Sequence, residues 1–183
     1  GIPIITSELK NELTGQSAYH AMRQYRTDRD PREKLFSFKR CVAHFAVDTS
    51  EAYVTTELKE ERTFFLPFNK GFEKGAGNPP IKNKHKTYYL WEEVWAPNAL
   101  ADLLQSFVHA YDEVREDRSG REYRQAVQLF PRYHQWHTVL DLLYAAREVG
   151  AGKNYLIQHS AGSGKSLTIA WLAYRLADLH TEK

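Results

Sequence analysis

One cysteine and one methionine stand among 183 residues. The lone Cys41 excludes an internal disulfide framework and leaves no cysteine cluster for zinc. It sits in the apolar stretch Cys41-Val42-Ala43-His44-Phe45-Ala46-Val47, the setting of a buried, inert thiol. No run of about 18 apolar residues occurs, and no signal-peptide pattern opens the chain, so a cytoplasmic protein without a membrane partner is the default reading. Charge of one sign is scarce too. A net charge of +2 neither supports nor excludes nucleic acid, because a phosphate binder usually carries a basic surplus or stripe. The only methionine, Met22, lies inside a helical pattern, and the chain opens on Gly1. Leu179-His180-Thr181-Glu182-Lys183 carries no helix-stop signal, so both ends read as cuts.

Aromatics, by contrast, are plentiful: four Trp, eleven Tyr and nine Phe argue against disorder. The β-branched Ile4, Ile5 and Thr6 begin a predicted strand running from Ile4 to Lys10, followed by turn formers and a helix from Ser17 to Arg26. Asp28-Arg29-Asp30-Pro31 breaks that helix. Val42 to Val47 and Ala52 to Thr56 read as a hairpin around Asp48-Thr49-Ser50, and Thr63 to Phe68 as a further strand. Strand, helix, then paired strands suggest an α/β or α+β core. Asn69 to Lys86 is rich in Gly, Pro and Lys and reads as a solvated loop or linker. Leu100, Leu103, Leu104, Phe107, Val108 and Tyr111 form one apolar stripe at helical spacing after Pro97, and Arg115 to Arg124 reads as a charged connector. A helix from Gln135 to Val149, a short strand over Asn154 to Gln158, a glycine-containing loop and a last helix from Leu167 to His180 complete the pattern.

That loop is the most informative segment. His159-Ser160-Ala161-Gly162-Ser163-Gly164-Lys165-Ser166 follows an apolar strand and opens an amphipathic helix, the order a phosphate cradle needs. Gly162, Ser163 and Gly164 form the tight part of the turn, and the glycines let backbone N–H groups face an anion unobstructed. Lys165 has the reach for the β- and γ-phosphates of ATP, and the Ser166 hydroxyl suits Mg2+. His159 stands where the general G-x-x-x-x-G-K-[ST] pattern has glycine. Upstream, Phe130-Pro131-Arg132-Tyr133-His134-Gln135 is similar to the adenine-reading motif of superfamily 2 motors, because the Gln135 amide offers one donor and one acceptor to an adenine edge.

Near the start, Glu8-Leu9-Lys10 places Glu8 and Lys10 on one face of a strand. A carboxylate beside an ammonium suits metal-assisted phosphodiester hydrolysis, with Glu8 on Mg2+ and Lys10 on the attacking water or the developing charge. Taken alone, such a tripeptide is more often a surface ion pair.

Together with Gln24-Tyr25-Arg26, Leu66-Pro67-Phe68-Asn69-Lys70-Gly71, Gly77-Asn78-Pro79 and Leu90-Trp91-Glu92-Glu93-Val94, these motifs resemble the R (motor and nuclease) subunits of type I restriction enzymes. The resemblance runs in order along almost the whole chain. It implies an α/β fold: a partial PD-(D/E)xK nuclease domain over 1–70, a linker and helical connector over 71–128, and the start of a RecA-like P-loop motor over 129–183. It further implies ATP and Mg2+ as cofactors, double-stranded DNA as substrate, and methylation and specificity subunits as partners. The motif's preceding Asp has no counterpart here. Relatives often have Gln four residues before a Tyr, whereas Ala21 stands four before Tyr25 with Gln24 beside it. The acidic Walker B motif and later helicase motifs are likewise missing from these residues. Two other readings stay open: a stand-alone P-loop ATPase, and a non-catalytic DNA-binding module.

Overall fold

In the computed structural model, which describes residues 1–73 and 75–179, the β-branched start of the chain forms β1 (Ile5–Leu9). Asn11 caps a short 3-10 turn, and Gly15 ends it in the left-handed conformation at φ 71°. The helix α1 (Ala18–Thr27) starts after Ser17, whose N–H donates to the His20 ring at 3.1 Å. Ala18, Ala21 and Tyr25 form its buried stripe, as helical spacing requires. The chain then returns as β2 (Ala43–Val47), parallel to β1, with Ile5 opposite Ala43 and Leu9 opposite Val47. β3 (Ala52–Thr55) and the two-residue β4 (Leu66–Pro67) add antiparallel neighbours, giving one sheet in the order β1-β2-β3-β4. The expected strand over Thr63 to Phe68 shrinks to β4 at its start, where Thr63 is held in a turn: its N–H and hydroxyl donate to Glu60 O, and its hydroxyl oxygen accepts the Lys59 N–H.

All five residues of β2 are buried, which explains their near-continuous apolarity. His44 and Ala46 face the α1 side, where Ala21, Tyr25, Phe36, Leu58 and Phe65 pack. Phe45 faces the other side, in edge contact with Phe68 and Trp95 at 5.3 Å each and with Phe130 at 5.8 Å. Cys41 is buried, and burial raises its thiol pKa.

Asp48 closes this arrangement. One carboxylate oxygen accepts the Ala18 N–H at 2.7 Å, and the other accepts the Ser50 and Glu51 N–H groups at 2.7 Å each. Its backbone carbonyl accepts the buried Thr87 hydroxyl. The irregular stretches 69–73 and 75–86 are stitched down by Asn78, which donates to Ser50 O and Asn69 Oδ1 and accepts from the Lys70 N–H. Lys82, Lys84, His85 and Lys86 are exposed.

The stripe after Pro97 ends earlier than its periodicity predicts. After a π-helical turn (Leu90–Val94), α2 spans only Pro97–Ser106, and the predicted charged connector is a hairpin of β5 (His109–Glu116) and β6 (Glu122–Leu129). The physical reason is the turn Asp117-Arg118-Ser119-Gly120. The Asp117 carboxylate accepts from the Ser119 N–H and hydroxyl and from the Arg121 N–H, and Gly120 takes φ 81°. Such a closure pairs the flanking residues, and the helical stripe cannot extend through it. Gln128 anchors the hairpin base to Cys41 O and Val42 O at 3.2 and 2.8 Å.

The chain divides into two compact units, Gly1–Phe130 and Pro131–Lys183. The second holds α3 (Tyr133–Val149) and α4 (Lys165–Ala177), packed on each other. The expected end of the last helix, His180, lies outside the described residues. Residues 153–160 form no strand, contrary to the expectation for Asn154 to Gln158. A strand needs a ladder, and no strand among the described residues of this unit offers one; Leu156 is 93 % exposed. Among the described residues no helix is long and apolar enough to cross a membrane.

Asp48→Ala leaves three backbone donors without their ionised acceptor, and the expected cost is about 3 kcal/mol or more, read by urea unfolding. His44 gives a pH signature. Burial lowers its pKa to about 4. The unfolded ring takes its proton near 6.5, so the unfolded chain binds more protons between these values and stability falls as the pH drops through that window. The expected loss is roughly 3 kcal/mol, and urea midpoints for His44→Asn should show a flatter dependence over the same range.

Candidate functional site

Pro131 and the extended backbone of Arg132 lead into α3, and Gln135 folds back so that its Oε1 accepts the Arg132 N–H at 2.8 Å. The opposite end of the same amide donates to Gly164 O at 3.0 Å. One residue earlier, His134 Nε2 lies 3.0 Å from Ser163 O. A carbonyl only accepts, so this ring nitrogen carries the proton. Two consecutive residues of α3 therefore hold two consecutive carbonyls of the loop ahead of α4.

The loop turns through Gly162 and Gly164, both left-handed at φ 71° and 79°. Gly164 caps α4: its carbonyl accepts the Leu167 and Thr168 N–H groups at 3.1 and 3.2 Å. It also lies so close to Gln135 that any Cβ there would collide with the Gln135 amide nitrogen, whereas Gly162 faces open space. The helix N-terminus puts partial positive charge at this point. Lys165 Nζ reaches back to His159 O and Ser160 O at 3.2 and 2.8 Å. Ser166 is exposed, and the Ser163 hydroxyl is buried without a partner among the described residues.

His159 fills the place of the pattern's glycine without obstructing the turn. Its ring packs edge-on against His134 at 4.7 Å, with Nε2 at 3.4 Å from the Thr138 hydroxyl on α3. Burial, foremost, lowers the pKa of both rings. Gln135 is only 3 % exposed, with both amide atoms already engaged.

In the first unit, Glu8 and Lys10 both turn toward α1 and the segment after it. Glu8 Oε1 accepts from Arg29 at 2.6 Å, and Lys10 Nζ donates to Gln24 Oε1 at 2.5 Å. The two residues are thus brought to one face but paired elsewhere. Tyr25 is buried, its hydroxyl 2.8 Å from the Thr6 hydroxyl, and burial holds its pKa well above the usual phenol range. Gln24 and Tyr25 therefore contribute to one face each, a polar partner for Lys10 and a core ring. Among the described residues no cluster of three or more His, Cys, Asp or Glu side chains could hold a metal ion.

Comparisons with protein-family models, curated proteins and solved structures found no match.

Two contributors escape the sequence motifs. Arg29 reads only as part of the helix-breaking run, and His134 only as the neighbour of Gln135. Adjacency to a motif glutamine is the one signal that points to His134. A contrast between the two glycines tests the loop geometry. Gly162→Ala meets only the φ penalty of about 1 kcal/mol, whereas Gly164→Ala adds a collision with Gln135 and is expected to cost about 2–3 kcal/mol, measured by thermal unfolding of the chain.

Proposed function

We propose that this chain is a piece of the ATP-dependent DNA-translocating and endonucleolytic subunit of a type I restriction-modification system, its second unit beginning a RecA-like motor and its first unit part of a PD-(D/E)xK nuclease. The observation that carries the reading is the loop of 159–166: two left-handed glycines at the N-terminus of a 13-residue helix, with Lys165 folded across the turn. Backbone donors at a helix start, together with one lysine, favour a polyphosphate. In this reading Gly162, Ser163, Gly164 and Lys165 hold the phosphates of ATP, Ser166 ligates Mg2+, and Gln135 serves the adenine side through its remaining amide hydrogen and lone pair. Glu8 and Lys10 supply the metal-binding and water-orienting half of a nuclease site, acting on double-stranded DNA within a complex with methylation and specificity subunits.

One observation favours a second reading. Glu8 is held by Arg29 and Lys10 by Gln24, with no group of three or more His, Cys, Asp or Glu side chains among the described residues that could hold a metal ion. That arrangement suits a P-loop ATPase in which the E-x-K tripeptide is structural.

Titration of the 183-residue chain with a fluorescent ATP analogue and Mg2+ tests the nucleotide half. Weak binding is expected, reduced tenfold or more by Lys165→Ala and unaltered by Glu8→Ala, with neither steady phosphate release nor DNA cutting. Binding indifferent to Lys165→Ala would overturn the phosphate-loop assignment. In the full subunit, Glu8→Ala is expected to abolish cutting and spare ATP use; loss of both would favour the second reading's view of Glu8 as structural.

A further inference from the structure

A phosphate loop works only if its carbonyl oxygens point away from the anion. In a trans peptide the C=O and the following N–H point in opposite directions. Fixing Ser163 O therefore fixes the Gly164 N–H on the opposite side, and fixing Gly164 O does the same for the Lys165 N–H. Both carbonyls are held from α3: Ser163 O by His134 Nε2 and Gly164 O by Gln135 Nε2, at 3.0 Å each. Neither the Gly164 N–H nor the Lys165 N–H has a partner among the described residues. Gly164 O is also drawn into α4 by the Leu167 and Thr168 N–H groups, so it has other restraints. Among the described residues, His134 is the sole donor to Ser163 O. Ser163 itself is buried, with its hydroxyl unpartnered, so its side chain supplies no competing anchor.

We propose that His134 is a positioning residue for polyphosphate binding: its Nε2–H turns the Ser163 carbonyl toward α3 and thereby aims the Gly164 N–H at the anion. His159 supports it. The edge-on contact at 4.7 Å confines the His134 ring, and this is a role that the glycine of the general pattern has no side chain to perform. The departure from that pattern at position 159 and the histidine at position 134 thus form one device. The inference rests on the nucleotide reading of the loop and assigns a residue that touches neither ATP nor metal.

The test uses the complete 183-residue chain, with a fluorescent ATP analogue and Mg2+ as the probe. His134→Leu removes the donor and is expected to weaken binding about tenfold. His134→Gln restores an N–H of similar reach and is expected to recover most of that loss. Melting temperatures of both variants are measured alongside, and amide hydrogen exchange at 163–166 is expected to accelerate in His134→Leu only. Long-range nitrogen–proton NMR of the unaltered chain should find the His134 proton on Nε2. Binding unchanged by His134→Leu, equal loss in both variants at equal stability, or a proton on Nδ1 overturns the proposal. Failure of the unaltered chain to bind the probe overturns the nucleotide reading itself, and the proposal's ligand with it.

Discussion

The first unit depends on one ionised side chain at a corner. Asp48 ends β2, and its two oxygens collect N–H groups from the start of α1 and from the turn into β3. A helix start leaves N–H groups unsatisfied, and a tight turn leaves others. Here one carboxylate answers both, which locks the angle at which α1 crosses the sheet. Because α1 is locked, Tyr25 reaches Thr6 and Gln24 reaches Lys10. The helix that meets Lys10 is thus set in place by a side chain that touches neither Glu8 nor Lys10.

The second unit solves a related problem with neutral groups. Its loop is held from the side by a histidine and a glutamine in succession on α3, so the loop's shape is written partly in a helix some thirty residues earlier. Both units show the same economy: local irregular backbone is stabilised by side chains from an element already fixed by packing. Neither arrangement depends on exposed ion pairs, which contribute little in water.

Much of this was legible. The β1-α1-β2-β3 order followed from β-branched runs, a helical stripe and turn formers, and burial of Cys41 followed from the apolar stretch around it. The loop's left-handed positions fell on its glycines, where only glycine is free of strain. What failed did so for identifiable reasons. Phe107, Val108 and Tyr111 fit a helical period, yet the Asp117 turn pairs the residues around it into a ribbon, and side-chain capping of a turn leaves no trace in periodicity. Tyr155 to Ile157 have strand composition, but composition cannot supply a ladder partner. Which backbone groups the Gln135 amide meets was not legible either, because a donor and an acceptor do not name their partners.

The ribbon of β5 and β6 carries a consequence in time. Its eight cross-strand pairs are all close in sequence, and hairpins of this kind zip up in about 1–10 μs. The pairing of β1 with β2 instead joins residues 38 apart, as at Thr6 and His44, and must wait for the intervening chain to close. Most of the ribbon's residues are exposed, and Gln128 is its buried polar anchor at the base. The two parts therefore keep different clocks: the arm forms early and breathes locally, while the sheet opens only with the unit as a whole.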